Sequence, residues 1–273
     1  MLIPEYFDVL HIQDNNEKAD IIQSLIGNDC LGSYSNNGTN KLYFNGGLRD
    51  QVEMRLKEIS IKLPLSWEWE KQNKENWHLA WKDNFHPVII NEKLAVIPHW
   101  QEGSSEDVVI KIKPGMAFGT GHHESTWLIL DQIIQHIKPG MSVLDLGAGS
   151  GILSISALKL GAEKIDAVEN DPNCKLNFNE NLKLNNIIES IQYHSEDVLY
   201  WTNFNYDIIL ANIDRNVIEK LIPKLHQSSG SILLSGLMET DYKTIKRLCE
   251  KYRIEVKEKM IKGEWICIKI SPN

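Results

Sequence analysis

Alternating glycines followed by a distant carboxylate form the part of the chain whose residue types most clearly suggest chemistry. Residues 143–151 read VLDLGAGSG, an apolar run that passes through Asp145 into a glycine turn. Its three glycines are Gly147, Gly149 and Gly151. A helix-forming run follows, and a second apolar run ends at Glu169. This order of strand, glycine turn, helix and strand is typical of a nucleoside-cofactor site at the edge of a parallel sheet.

The spacing of the glycines indicates which cofactor the site takes. A dinucleotide site has its third glycine one position later, where this chain has Ile152, and no Lys-Ser or Lys-Thr pair of a phosphate-binding loop follows. Glycine lets a ligand approach the backbone, and free amides at a helix start attract a carboxylate. Glu169, about 20 residues farther on, can accept hydrogen bonds from ribose hydroxyls. These features suit a cofactor that has a ribose and a carboxylate but no pyrophosphate. The sequence therefore predicts S-adenosylmethionine as the cofactor. The alternative is that the glycines form only a tight turn between strand and helix, which binds no ligand.

Composition limits the possible partners and compartments. The chain has 273 residues and a net charge of −8, which argues against a broad phosphate-binding surface. We therefore expect no direct specific nucleic-acid binding, whereas a small basic protein is compatible as substrate. The four cysteines form no CxxC pair, so neither a metal site nor a disulfide framework is expected. Without a secretory pattern or a long apolar run, the sequence predicts a cytoplasmic protein that has no membrane contact. We further expect a monomer.

The chain divides into three parts. Residues 1–72 predict a small α+β ferredoxin-like domain of order β-α-β-β-α-β, with its first helix near 14–26. Residues 73–102 predict a tryptophan-rich linker and hairpin, whose rings we interpret as packing between domains rather than as a surface near the cofactor. Residues 103–273 alternate strand and helix, which predicts an α/β doubly wound, mostly parallel sheet. A turn at Lys262-Gly263 can join only antiparallel strands, so the sheet should end in an antiparallel hairpin.

Further motifs resemble a known family. The DLGAGSG turn is similar to that of the class I S-adenosylmethionine-dependent methyltransferases. Residues 116–126 read MAFGTGHHEST, which resembles the FGTGxH motif of the PrmA family. Residues 211–213 resemble that family's Ala-Asn-Ile, and GEWICIKI near the end resembles its Glu-Trp-Cys. By this resemblance the chain is identified as a member of the PrmA family, which methylates lysine or N-terminal amines of large-subunit ribosomal protein eleven.

The resemblance implies roles for individual residues. Asn212 would lie beside the sulfonium and the incoming amine and is the predicted catalytic residue. The positions predicted to bind the cofactor are Thr126, Gly147, Gly149, Glu169, Asp197 and Asn212. Within this set, Gly147 would approach the methionine part, Glu169 the ribose, and Asp197 the adenine amino group. The chain departs from the family's usual pattern at His122, often Thr, and at Glu169, often Asp.

Some residues and functions stay open at this point. His123 is interpreted as a hydrogen-bond partner that fixes its loop, and Asp145 as an anchor of the glycine turn that bonds backbone amides. An adenine or glutamine methyltransferase would carry an Asn-Pro-Pro-Tyr-like loop, which ANID at 211–214 is not. The remaining alternatives are a class I methyltransferase that acts on RNA or on another protein, and a non-catalytic module that only binds S-adenosylmethionine.

Overall fold

The structure is a computed structural model that describes residues 6–13, 30–36, 39–61, 66–73, 86–113 and 123–272. Its contacts divide the chain into two compact units, Met1–Phe85 and His86–Asn273. The border falls inside the predicted connection at 73–102, and the predicted domain ranges stay a prediction. Among the described helices, none is long and apolar enough to cross a membrane.

The first unit is built on a four-stranded antiparallel sheet. Its strands are β1 (Tyr6–Gln13), β2 (Cys30–Asn36), β3 (Thr39–Asn45) and β4 (Trp67–Asn73), and α1 (Arg49–Ser60) joins the last two. The spatial order β2-β3-β1-β4 is that of the predicted ferredoxin-like domain. The predicted helix near 14–26 lies outside the described residues. Val52 and Leu56 of α1 bury their side chains against Leu10 and Phe44 of the sheet.

Two tryptophans that shortly precede the predicted connection belong to the core of this first unit. Trp67 and Trp69 pack against its buried cluster, and both indole N–H groups donate to Glu53 Oε2, at 3.0 and 2.7 Å. These two rings therefore pack within the first unit, which differs from the predicted packing between domains. Trp77 and Trp81 lie outside the described residues.

The second unit begins with a small three-stranded sheet. Strand β5 (Val88–Ile90) pairs antiparallel with β6 (Leu94–Pro98), which pairs parallel with β7 (Val108–Ile112). Asn91 and Glu92 turn the hairpin with φ of 49° and 56°, the left-handed backbone that a tight β-hairpin requires. The predicted strand pair and its turn at these two residues are confirmed.

A seven-stranded sheet forms the body of the second unit. Its strands are β8 (Ser142–Leu146), β9 (Lys164–Glu169), β10 (Ile191–Ser195), β11 (Ile208–Asn212), β12 (Ser231–Met238), β13 (Ile254–Lys262) and β14 (Trp265–Pro272). The order is β10-β9-β8-β11-β12-β14-β13. Strands β8 to β12 run parallel, and β14 is antiparallel to both of its neighbours. The predicted parallel sheet with an antiparallel C-terminal hairpin is confirmed.

Helices cover both faces of this sheet. They are α2 (Glu124–His136), α3 (Ile152–Lys159), α4 (Pro172–Leu184), α5 (Arg215–Leu225) and α6 (Tyr242–Lys251). Helices α2, α3 and α4 bury side chains such as Ile129, Ile155 and Phe178 in one apolar cluster. Helices α5 and α6 bury Ile218 and Ile245 in another. The chain is therefore doubly wound, as its alternating pattern predicts.

The strand order reverses at the centre of the sheet, and this positions the site. After β8 the chain moves outward to β9 and β10, and it then returns to place β11 on the other side of β8. At such a reversal, the connections leave the carboxyl ends of neighbouring strands in opposite directions, which opens a crevice. The glycine turn follows β8, Glu169 ends β9 and Asn212 ends β11, so all three meet at this crevice.

Two strand boundaries differ from the sequence pattern. The apolar run at 206–211 predicts a strand from Tyr206, but β11 begins at Ile208. The Tyr206 side chain is buried, and its hydroxyl donates to Asp166 Oδ2 at 2.9 Å. Strand β12 continues beyond the predicted end at Ser235 to Met238, with an irregularity in its pairing with β14 around Gly236.

Candidate active site

A cavity of about 600 Å³ lies at the carboxyl ends of the central strands. Five of the six residues predicted to bind the cofactor line it, namely Gly147, Gly149, Glu169, Asp197 and Asn212. The sixth, Thr126, is fully buried and is not among the described lining residues. The predicted FGTGHH loop falls within 114–122 and at His123, and of these only His123 is described.

Two close contacts with other side chains of the protein shape the glycine turn. Gly147 has φ +78°, and a Cβ there would collide with Cγ2 of Ile213. Gly151 has φ +81°, and a Cβ there would lie 2.8 Å from the ring of Phe178. A left-handed backbone already disfavours other residues. These two glycines are therefore needed for packing as well as for conformation.

Glu169 is fixed against the glycine turn through both of its carboxylate oxygens. Oε2 accepts a hydrogen bond from Gly149 N at 3.0 Å, and Oε1 accepts one from Asp171 N at 2.9 Å. A carboxylate oxygen has a second lone pair, so each can accept another hydrogen bond. The Glu169 carboxylate, about 20 residues beyond the turn in sequence, is thus in direct contact with the turn. It can still accept hydrogen bonds from hydroxyl groups.

Asp145 lies beneath the turn and is completely buried. Its Oδ2 accepts from Ser154 N at 3.1 Å and from Ser154 Oγ at 2.6 Å, in the first part of α3. Its Oδ1 is buried without a hydrogen bond to any described residue. Burial raises the pKa of Asp145 to about 7. The prediction that Asp145 bonds backbone amides is confirmed at Ser154 N, which belongs to the helix after the turn and not to the turn itself.

Asn212 is oriented by the helix that precedes β8. Its Nδ2 donates to Thr126 Oγ1 at 3.1 Å, although the two residues are 86 positions apart. With the amide nitrogen engaged, the carbonyl oxygen Oδ1 is left buried without a partner among the described residues. A buried acceptor without a hydrogen bond carries a desolvation cost of about 1–3 kcal/mol, which a bound N–H donor would remove. Asn212, which lines the cavity, therefore holds an acceptor that no described residue fills.

His123 and Trp265 form another part of the wall. Nδ1 of His123 accepts from Ser125 N at 3.2 Å and so caps α2. Its ring meets Trp265 edge to face, with centroids 4.5 Å apart. Burial lowers the pKa of His123, which favours the neutral ring. The predicted hydrogen-bonding role of His123 is confirmed for the start of α2, while the loop at 114–122 lies outside the described residues. The contact with Trp265 was missed because only the fold brings these distant segments together.

The cavity is acidic. Carboxylates line it at Glu169, Asp171, Asp197 and Asp214, and its described lining residues include no lysine or arginine. Sequence reasoning missed Asp171 and Asp214 as site residues, since Asp214 is read only as a helix cap and Asp171 is given no role. They do cap α4 and α5, by accepting from Asn173 N and Asn216 N at 2.8 and 2.7 Å. Within the described ranges, no group of three or more His, Cys, Asp or Glu side chains is arranged to hold a metal ion.

The doubly wound sheet with this strand order, its reversed last strand, and a glycine turn facing a carboxylate define the class I S-adenosylmethionine-dependent methyltransferase fold. Residues 12–272 match the family model described as ribosomal protein L11 methyltransferase (PrmA). The chain therefore belongs to this family, as its motifs predict.

Individual relatives agree with the family model. The chain is 35% identical over 255 residues to the ribosomal protein L11 methyltransferase of Pelobacter propionicus, which covers 84% of this chain and 80% of that one. It is 33% identical over 224 residues to the protein of that name from Heliobacterium modesticaldum, covering 80% and 71%. Among solved structures, the ribosomal protein L11 methylase of Lactobacillus delbrueckii subsp. bulgaricus is similar with a TM-score of 0.64 and 29% identity, over 69% of this chain and 99% of that one.

Proposed function

We propose that this chain transfers methyl groups from S-adenosylmethionine to lysine or N-terminal amines of ribosomal protein L11, the protein named in the description of its family. The observation that carries the proposal is the Asn212 side chain. It lines the cavity, and its buried carbonyl oxygen has no partner among the described residues. An amine that enters the cavity brings the N–H group which that oxygen needs.

The residues around the cavity fit the proposed cofactor. The volume of about 600 Å³ lies within the range of about 300–1,000 Å³ that is usual for small-molecule sites. Glu169 keeps lone pairs for ribose hydroxyls, and Asp197 can accept from an adenine amino group. The amides of Gly147 and Ala148 donate to Val168 O, at 2.9 and 3.1 Å, and that of Gly149 donates to Glu169, so the free amides that the sequence predicts for the methionine carboxylate are not found at these three positions. Thr126 supports the site through its hydrogen bond to Asn212. When bound, S-adenosylmethionine supplies a methyl group already activated by its positive sulfur.

The chain's own residues then have to deliver a neutral, oriented amine. A lysine amine has a pKa of about 10.4 and an α-amine about 8, so the proton must leave before attack. Partial desolvation in the cavity favours the neutral form. Asn212 Oδ1 accepts an amine N–H, and Thr126 prevents the carboxamide from turning. Because a carboxamide does not take up protons near neutral pH, Asn212 orients the amine and is not a base. Such positioning can contribute about 7 kcal/mol or more.

The proposal also covers the rest of the chain. Residues 1–72 form the ferredoxin-like substrate-recognition domain, 73–102 the connection, and 103–273 the methyltransferase domain. The enzyme acts as a monomer in the cytoplasm, where ribosomal proteins are made, and does not bind nucleic acid specifically. Light scattering with and without the large ribosomal RNA tests the monomeric state and the absence of specific nucleic-acid binding. A stable dimer, or sequence-specific retention of the RNA, would contradict them.

The function is tested by direct methyl transfer. The protein is incubated with S-adenosylmethionine and either free ribosomal proteins or unmethylated large ribosomal subunits, and mass spectrometry locates the added methyl groups. We expect them on amines of ribosomal protein L11. Methyl groups on a different protein or on RNA would overturn the assigned substrate. Cofactor binding by calorimetry without any transfer would favour a non-catalytic binding module.

A further inference from the structure

Asp214 lies at the edge of the cavity and carries a charge that its neighbouring cation does not neutralise. We propose that Asp214 is a specificity-determining residue, which attracts the protonated amine of the substrate to the mouth of the cavity. This inference rests on the proposed function and adds to it the group that recognises the substrate by its charge.

The position of Asp214 places it on the acceptor side of the cavity. It follows Asn212 and Ile213 at the carboxyl end of β11 and precedes the first residue of α5. Glu169 ends β9, and β8 lies between these two strands. With neighbouring strands about 4.8 Å apart, the two carboxyl ends are separated by roughly 10 Å. The glycine turn and Glu169 thus form one side of the cavity, while Asn212 and Asp214 form the other.

The hydrogen bonds of Asp214 leave one carboxylate oxygen available. Its Oδ1 caps α5 by accepting from Asn216 N at 2.7 Å and from Asn216 Nδ2 at 2.8 Å. Its Oδ2 makes no hydrogen bond to a described residue in the structure. Because Asp214 is exposed, this oxygen can meet a substrate that arrives from solvent.

The adjacent cation is directed elsewhere. Arg215 Nε lies 2.7 Å from Glu219 Oε1, and its Nη1 lies 3.0 Å from Asp241 Oδ1. Two carboxylates therefore compensate Arg215, and the charge of Asp214 stays available to an incoming cation. Since the described lining residues contain no lysine or arginine, the field at this mouth is negative.

This arrangement suits an amine substrate in both of its protonation states. An ammonium group is attracted to a carboxylate and is held only weakly where water screens the pair. At the exposed mouth it can lose its proton to solvent water, and the neutral amine then enters the less hydrated cavity, where Asn212 Oδ1 accepts one of its remaining N–H groups. A carboxylate placed deep beside the reacting nitrogen would instead stabilise the ammonium and oppose deprotonation.

Asp214→Asn tests the inference, because asparagine caps a helix nearly as well as aspartate and removes only the charge. Methyl transfer is measured at saturating cofactor with varied ribosomal protein. We expect KM for the protein to rise about threefold at low salt, with a smaller change in kcat. The difference in KM between the variant and the wild type should disappear when the salt is raised to about 0.5 M, since screening removes the attraction between Asp214 and the substrate ammonium group. An unchanged KM, or a rise that persists at high salt, would overturn the inference.

Asp171→Asn is the matched control. Asp171 also caps a helix and lines the cavity, but on the side of Glu169. We expect it to raise KM for the ribosomal protein less than Asp214→Asn does, because Asp171 lies on the other side of the cavity. An equal rise in both variants would show a general effect of cavity charge and would contradict a specific role for Asp214.

A binding measurement separates this inference from the proposed function. A lysine peptide and its ε-acetylated form are titrated into the protein loaded with S-adenosylhomocysteine. The wild-type preference for the free amine should fall about threefold in Asp214→Asn, whether or not the peptide is ever methylated. Absence of transfer by the wild type would thus refute the proposed function alone. A preference for the free amine that is unchanged in Asp214→Asn would refute the role of Asp214 alone.

Discussion

Asn212 Nδ2 donates to Thr126 Oγ1 at 3.1 Å, and this single bond decides which end of the carboxamide is available at the cavity. The nitrogen is engaged inside the protein, and the oxygen is left buried without a described partner. The sheet supplies Asn212 and the helix α2 supplies Thr126, so the orientation of the acceptor depends on how these two elements pack.

Replacing Asn212 by alanine should remove the acceptor without disturbing the glycine turn or Glu169. We expect kcat to fall roughly 100-fold, since the loss of orientation at a reacting nitrogen has effects of that order. Affinity for S-adenosylmethionine should change less, because the other contacts remain. Methyl transfer and calorimetry measure the two quantities, and parallel losses in both would show that Asn212 mainly binds the cofactor.

Thr126→Val should weaken catalysis through Asn212. Valine keeps the shape of the buried side chain and removes the hydroxyl, so Asn212 Nδ2 would lose its partner. We expect about a tenfold loss of kcat, smaller than in Asn212→Ala. Thr126→Ser retains the hydroxyl and is the control that should recover activity. In the double variant with Asn212→Ala, the Thr126 change should have no further effect on kcat, and an additive loss would indicate an independent role for Thr126.

Gly151 in the glycine turn and Gly140 outside it form a matched pair for measuring how much a close contact adds to the cost of a substitution. Gly151 and Gly140 have nearly the same φ, +81° and +83°, but only Gly151 has a neighbour within 4 Å of the missing Cβ. Alanine at Gly140 should cost about 1–2 kcal/mol of unfolding free energy from backbone strain alone. Alanine at Gly151 should cost about 1–3 kcal/mol more, because Phe178 would have to move. Urea unfolding of both variants checks this, and equal costs would show that the ring yields freely.

Local rules predict much of the fold from particular residues. Pro172 begins α4 and Asp214 caps α5, as the sequence pattern indicates. The site is predictable as far as it depends on strand ends, because the carboxyl ends of β8, β9 and β11 must meet where the strand order reverses. Thr126 and Asn212 are 86 residues apart, so their hydrogen bond follows only from the packing of α2 on the sheet. The contact of Gly151 with Phe178 likewise depends on the close approach of α4, which periodicity does not specify.

Asp145 should make the stability of the protein depend on pH. Burial raises its pKa from the ordinary 3.8 to about 7, so the folded protein keeps a proton that the unfolded chain has lost between these values. Stability from this residue is then fully present below about pH 4 and is lost as pH rises toward about 7. Above that pH both states are ionised, and the contribution is constant. A shift of this size corresponds to at most about 4 kcal/mol.

Asp145→Asn isolates this effect, because asparagine has the same shape and does not titrate near neutral pH. Its carbonyl oxygen can still accept from Ser154 N and Oγ. Unfolding free energies from urea titrations at pH 5, 6, 7 and 8 should decline for the wild type between about pH 5 and about 7. In Asp145→Asn, the unfolding free energy should decline less over this pH interval, because the part that comes from the titration of Asp145 is absent. Identical pH profiles for the two proteins would mean that Asp145 is ionised throughout and that its buried charge is stabilised by Ser154.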